Sequence, residues 1–470
     1  MEYDVIVVGA GPNGLAAGIT LQQQGLKVLL LEAKATIGGG MRTAALTLPG
    51  FKHDICSAIH PMAKASPFFA SINWSAYGLA FIDPPVCAAH PLDTGSCALL
   101  LPSLEETAEK MGIDRGLYHS LLEPLVKNFG TLTKDILGPL SWPSNPVLLA
   151  GFGLKALQPA SRIAGRFASQ EAKALFGGMA AHGIQPLSNW ASAAIGLVLL
   201  AAGHSGGWPI PIGGSQSIAD AMAAHFQLLG GVIETNTAIT SLQQLPRSKA
   251  VVFDCGPRQL IEIAGEKFSS FYQWQLKRYR YGMGVFKIDW ALDAPIPWRN
   301  EDGKRAGTLH IGNSFEEISW NEAATAKGKL VDNPFVLLAQ PSLFDSTRAP
   351  AGKHTAWAYC HVPFGAEEDR TAAIEAQVER FAPGFKERII GRHTMNTRQM
   401  QEYNPNYIGG DINGGLQDLG QLFTRPALRW SPYKTSAKEL YICSSSTPPG
   451  GGVHGMCGYH AARRILKDLF

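Results

Sequence analysis

The segment from Asp4 to Thr43 constrains this chain more than any other, because it reads without interruption as strand, glycine turn, helix, strand and acid. Asp4-Val5-Ile6-Val7-Val8 is an apolar, β-branched strand, and Gly9-Ala10-Gly11-Pro12-Asn13-Gly14 follows at once. A helical stretch runs from Leu15 to Gln24, Gly25 stops it, Lys27 to Leu31 forms the next strand, and Glu32 ends that strand. Each glycine has its own task. Gly9 permits the tight turn, Gly11 lets backbone approach a pyrophosphate, and Gly14 lets the helix pack close to the strand. The helix N-terminus then turns free N–H groups and its positive dipole end toward the phosphates. Glu32 stands where a carboxylate accepts from ribose hydroxyls. A lone Gly-x-Gly-x-x-Gly carries little weight in a chain of 51 glycines. Here five elements agree in order, and together they imply an adenine dinucleotide. The negative charge of Glu32 disfavours a 2′-phosphate.

The next segment, Ile37-Gly38-Gly39-Gly40-Met41-Arg42-Thr43, points to FAD rather than NAD. Three glycines shortly after the acid let a second loop run along the pyrophosphate, and Arg42 brings a cation to it. Pro12 and Asn13 between the glycines, Ala33 beside Glu32, and Met41 beside Arg42 complete this first contact set.

At 470 residues, 46% hydrophobic and 17% charged, the chain has a sizeable core and length for two or three domains. A net charge of +3 without a dense Lys/Arg block gives no reason to expect nucleic acid. Seven cysteines, odd in number and without Cys-x-x-Cys, fit reduced thiols in a cytoplasm and neither a disulfide framework nor a metal site. The first strand begins near residue 4, which leaves no room for a signal peptide ahead of it. The most apolar run, Ala191 to Ala202, is too short to span a bilayer and reads as a buried helix. With Val147 to Leu154 it also leaves open a peripheral membrane contact. Oligomeric state is not legible.

The expected fold class is α/β: a discontinuous Rossmann-like FAD-binding domain with an inserted α+β substrate domain and helical segments. Residues 1–65, 206–257 and 431–470 form the FAD-binding domain. Residues 66–205 are a helical, proline-broken substrate segment, and 258–430 a second substrate-binding segment. The dinucleotide style returns at Gly206 to Gly214, in the helix Ser215 to Leu229 and in the strand Val232 to Asn236. Ile239 to Leu242 and Ala250 to Asp254 read as two further strands, Leu440 to Cys443 as the closing strand, and Tyr459 to Leu469 as the last helix. A ligand then lies where the pieces meet, at the carboxyl ends of the strands.

With these motifs in view the chain resembles the phytoene desaturase-like family of FAD oxidoreductases, within the amine-oxidase-like flavoprotein group. The resemblance rests on the opening module, Gly38 to Thr43 followed by Pro49 to Asp54, Pro211 to Gly214, and Leu440 to Gly458. Pro341 to His354 and Asn404 to Asp411 resemble a soluble branch of the pyridine nucleotide-disulfide oxidoreductase domain-containing protein 2 type rather than the carotenoid enzymes. The resemblance implies that Ile239, with its neighbour Ala238, meets the adenine. It also implies that Gly452-Val453-His454-Gly455-Met456 runs beside the flavin ring. Two departures stand out: only Thr240 to Ala250 separates Ile239 from Val251, and Ser444-Ser445-Ser446 replaces a glycine-containing turn.

The flavin takes the hydride, and the protein supplies orientation and electrostatics. Candidate catalytic groups are His454 in the glycine loop, His60 after the flavin segment, and Tyr433 as an aromatic wall. Each also has a plain structural reading: loop shaping for His454, packing for His60 and core for Tyr433. The function expected is removal of hydride from an apolar, isoprenoid-like small molecule, which the apolar stretch 147–203 favours. Alternatives are an amine or amino-acid oxidase, or a non-redox flavin-assisted isomerase or flavin-binding scaffold.

Overall fold

The computed structural model describes residues 2–470. Val5–Val8 lies at the centre of a five-stranded, wholly parallel sheet in the order Leu440–Ile442, Ala250–Phe253, Val5–Val8, Val28–Leu31, Val232–Glu234. Strands covered on both faces read as continuous apolar runs. Val-Ile-Val-Val, Val-Leu-Leu-Leu and Ala-Val-Val-Phe are such runs, and all twelve residues are buried. The helix Pro12–Gln22 begins directly after the glycine turn, with proline in its first turn and Gly11 as an N-cap that offers no side chain. The C-terminal helix Met456–Leu469 crosses it at very close range: a Cβ on Gly458 would fall 1.8 Å from the Asn13 carbonyl oxygen. Gln216–Leu228 packs on the same first helix.

A second, seven-stranded sheet runs Ile389–Met395, Gly284–Leu292, His354–Val362, Val336–Ala339, Ala306–Ile311, Val86–Pro91, Cys97–Leu100. It is antiparallel except where Ala306–Ile311 meets Val86–Pro91. The segment 66–205, expected to be helical, therefore gives this sheet two strands. Their sequences, Val-Cys-Ala-Ala-His-Pro and Cys-Ala-Leu-Leu, hold almost no β-branched residues, so propensity concealed them. Helices from Arg115 to Gly206 cover one face of the sheet. Ala193–Gly206 is among them and packs on Gln170–Ala181, as a buried helix should. Among the described residues no helix is long and apolar enough to cross a membrane.

One expected strand is absent. Ile239 leads instead into the short helical turn Leu242–Gln244, closed by a reciprocal cap between Ser241 and Gln244. That cap, with Pro246 behind it, uses the residues a pairing hairpin would need.

Candidate functional site, a cavity between the two sheets

A cavity of about 440 Å³ begins at the carboxyl ends of the parallel strands and reaches the second sheet. That volume lies within the roughly 300–1,000 Å³ of small-molecule sites. At its first end the backbone comes together in the way the sequence implies. Gly9 takes φ +105°, and a Cβ on Gly14 would lie 2.0 Å from the Gly9 carbonyl oxygen. A Cβ on Gly39 would lie 3.0 Å from Gly11 Cα, so the two glycine loops touch. Gly9, Gly11, Pro12, Asn13, Gly39 and Gly40 all line this end. The cradle is bare backbone that side chains would fill, and a pyrophosphate fits it.

Glu32 sits at the tip of its strand and lines the cavity. Its Oε2 accepts the Ala10 N–H at 2.9 Å, and its Oε1 accepts from Lys34 N at 2.9 Å and Arg42 Nη2 at 3.1 Å. Arg42 also donates to the Thr36 carbonyl at 2.9 Å and lies over the Tyr403 ring at 5.5 Å. The cation expected at the phosphates is thus tied first to the ribose-side acid. Ala33 and Ile239 line the same end with Thr237. Ala238, Gly38 and Met41 do not line it. Gly38, at φ +116°, begins the tight turn, and Met41 is core.

Asp254, which has no chemical role in the reading of the sequence, closes this cradle. Its Oδ2 accepts the Gly14 N–H at 2.9 Å, and a Cβ on Gly11 would lie 2.6 Å from that same oxygen. Burial pushes its carboxyl up to about 7, Glu32 adds to the rise, and the N–H groups of Gly14 and Gly11 oppose it. A second anion at this place raises it further. FAD binding therefore takes up a proton at and above about pH 7, and affinity is expected to fall with rising pH by as much as tenfold per unit. Fluorescence titration of the apoprotein with FAD from pH 6 to 9 measures this. Asp254→Asn is expected to flatten the profile, and a flat wild-type profile would remove Asp254 from the phosphate site.

Of the closing-loop residues, Gly452 and Val453 line the cavity, whereas His454, Gly455 and Met456 do not. His454 is buried, its Nδ1 accepts the Met456 N–H at 3.0 Å, and its carbonyl accepts from Ser66 Oγ at 2.6 Å. Burial holds it down at about 4. The catalytic reading of His454 is corrected: it shapes the start of the last helix. Tyr433 is corrected too. It is buried among core residues, stacks on His460 and donates its hydroxyl to the Pro448 carbonyl at 3.0 Å. Both misreadings have one cause, since nearness in sequence to the flavin loop does not aim a side chain. Ser444 and Ser445 line the cavity in place of the glycine turn.

His60 does line the cavity. Its Nε2 lies 2.8 Å from Ser215 Oγ, and Ser215 Oγ lies 2.6 Å from the Ser57 carbonyl. A hydroxyl has one proton, which must go to the carbonyl, so His60 Nε2–H donates to the serine. Its Nδ1 lone pair makes no bond to any of the described residues. Burial lowers His60 to about 4, so it is neutral at physiological pH. Beyond it the wall consists of Leu199, Leu337, Ala339, Trp357 and Tyr359, from the second sheet and its covering helices, with Trp208 from the loop after Gly206. Trp208 Nε1–H donates to Thr308 Oγ1 at 2.8 Å, and Trp357 stacks on Tyr359 at 5.6 Å and 11°. His182 and Thr308 complete this end. Most of this wall escapes sequence reasoning, because it comes from a sheet whose register no local motif discloses.

A bare glycine cradle, an acid at the second strand tip and an aromatic pocket across from them define an FAD-type Rossmann oxidoreductase. Residues 7–71 match the NAD(P)-binding Rossmann-like domain. Over its whole length the chain is a homologue, 26% identical, of pyridine nucleotide-disulfide oxidoreductase domain-containing protein 2 of Mus musculus, covering 94% of that protein. It is 22% identical to a lycopene-forming phytoene desaturase of a Paracoccus species over 55% of each chain. The solved structure of cyclohexylamine oxidase from Brevibacterium oxydans IH-35A superposes with a TM-score of 0.58 over 100% of both chains, at 16% identity. At that identity the likeness is one of fold.

Proposed function

We propose that the chain is an FAD-dependent oxidoreductase that removes hydride from an apolar, isoprenoid-like small molecule. One observation carries this reading: the charged residues lining the cavity, Glu32, Lys34, Arg42 and Asp254, all stand at the dinucleotide end. The opposite end offers aliphatic and aromatic side chains, Thr308 and two neutral histidines. Gly9, Gly11, Asn13, Glu32, Gly39 and Arg42 hold the dinucleotide, and Gly452 and Val453 border the ring. Bound FAD supplies the hydride acceptor. His60, with its Nδ1 lone pair free and its other nitrogen fixed by Ser215, takes the proton that leaves with the hydride. The aromatic wall also supports a second reading, amine oxidation, since the fold is shared with an amine oxidase. Lys287, whose Nζ lies 5.9 Å from the Trp357 ring centroid, is buried, paired to Asp289 at 2.5 Å, and not on the lining.

The test is anaerobic addition of apolar isoprenoids and, separately, of amines to the flavin-loaded protein, read at the 450 nm band, roughly where oxidised flavin absorbs. Bleaching by isoprenoids alone is expected. Bleaching by amines alone would replace this function with the second reading.

Access from a bilayer belongs to the same proposal. Trp142, Val147 and Leu154 are 90%, 83% and 75% exposed on and beside the helix Pro146–Ala156, and Lys155 and Arg162 lie close by in the chain. Flotation with vesicles containing an anionic lipid is expected to carry the protein, and Trp142→Ser/Leu154→Ser to abolish it. Failure of the wild type to float would remove the membrane from the proposal.

A further inference from the structure

Four histidines cluster behind the substrate end, and the hydrogen-bond accounting of two of them fixes what the cavity presents. His182, at the C-terminal end of Gln170–Ala181, lines the cavity. Its Nε2 lies 2.9 Å from Nε2 of His310, which is wholly buried on the strand Ala306–Ile311. One nitrogen of the two carries the shared proton. His310 Nδ1 has no partner and is packed so tightly that a Cβ on Gly178 would fall 2.5 Å from it. A proton on that nitrogen would be a buried N–H donor with no acceptor, which proteins avoid more strictly than an unfilled lone pair. His310 is therefore the Nε2–H tautomer and donates to His182 Nε2. The remaining proton of His182 lies on Nδ1, which makes no bond within the protein.

The neighbouring histidines obey the same accounting. His90 Nε2 is 2.6 Å from the Asn313 carbonyl, so it donates, and its unpartnered Nδ1 is again a lone pair. His361 Nδ1 pairs with Glu322 Oε1 at 2.7 Å, and a charge on His361 opposes one on His182. Among the described residues no acidic side chain is bonded to His182 or His310. Burial lowers His182 to about 3 and His310 well below its ordinary value, so neither becomes a cation in the working pH range.

The donor belongs to the same wall as His60. The backbone N–H of His60 donates to the Pro209 carbonyl, Trp208 beside it bonds Thr308, and Thr308 stands two residues from His310 on one strand face. We propose that His182, held in one tautomer by His310, presents an Nδ1–H donor to an acceptor oxygen of the substrate, which is accordingly an apolar molecule bearing a hydroxyl or carbonyl group. Resting on the apolar-substrate reading above, this narrows the substrate class. A pure hydrocarbon leaves the donor unpaired in a dry pocket, and a protonated amine places a cation against an N–H. His182 touches the substrate, and His310 is a positioning residue.

Three ten-carbon probes of similar size test the inference on the flavin-loaded protein: geraniol, myrcene and geranylamine, each titrated anaerobically by perturbation of the flavin spectrum. Geraniol is expected to bind about tenfold tighter than myrcene, the effect of one buried hydrogen bond, and His182→Leu to erase that preference. Equal affinity of the two in the wild type, or a preference that survives His182→Leu, overturns the oxygen-recognition site while leaving the apolar cavity intact. Preferential bleaching by geranylamine overturns the underlying function instead. The tautomer is read without any ligand from long-range ¹H–¹⁵N spectra of histidine-labelled protein, assigned with His182→Gln and His310→Gln. His182 protonated at Nδ1 is expected, and protonation at Nε2 overturns the proposal.

Discussion

Gly11→Val is expected to yield a folded protein that retains no FAD. The valine Cβ would fall 2.6 Å from Asp254 Oδ2, well inside contact distance, and its methyls would stand in the bare cradle between the two glycine loops. The conformation itself is not the obstacle. Gly11 has φ −73°, which any residue adopts, so the effect is steric and falls on the phosphate site rather than on the turn. Gly14→Val contrasts with it, because its Cβ would meet the Gly9 backbone at 2.0 Å and break the helix–strand approach itself. Flavin absorbance after gel filtration, with circular dichroism as the folding control, separates the two. Gly11→Val purified with stoichiometric flavin would show that the pyrophosphate does not lie across this glycine.

Arg348→Met is expected to cost about 3–5 kcal/mol of stability, as removal of one partner from a buried ion pair does. Arg348 Nη2–H donates to Asp54 Oδ2 at 2.6 Å, and both side chains are wholly buried. Asp54 Oδ1 also accepts from Ser215 N at 2.8 Å and from Thr43 Oγ1 at 2.7 Å. The loss therefore extends to the site, because Ser215 orients His60. A lowered melting temperature is expected, together with slower substrate-dependent flavin reduction. Adding Asp54→Asn removes the uncompensated charge and should restore at least half of the stability. A melting temperature unchanged in Arg348→Met would show that Asp54 finds its stabilisation elsewhere.

These two variants differ in how far a reader of the sequence alone foresees them. Gly11 belongs to a module whose strand, turn, helix and acid are consecutive, so local spacing assigns its task. Asp54 and Arg348 lie in different segments, and nothing in either segment signals the other. In the sequence Asp54 merely ends the motif Pro49 to Asp54; in the fold it anchors a buried network. His454 shows the opposite failure. Its loop was correctly placed next to the cavity, yet the ring turns inward to receive the Met456 N–H. Ile239 lines the cavity, although the strand expected to carry it does not form.

By itself the sequence determined the dinucleotide half: the parallel strands, the glycine cradle, the acid at Glu32 and the kind of cofactor they admit. Those features follow from residues adjacent in the chain, where strand period, glycine freedom and helix polarity act over a few positions. Only the tertiary structure decided the other half. Asp254 reaches the cradle because Ala250–Phe253 pairs beside Val5–Val8. His182 meets His310 because a helix end packs on a strand of the second sheet. Contacts made across such distances depend on register and packing rather than on spacing, so the substrate end becomes visible only once the chain has folded.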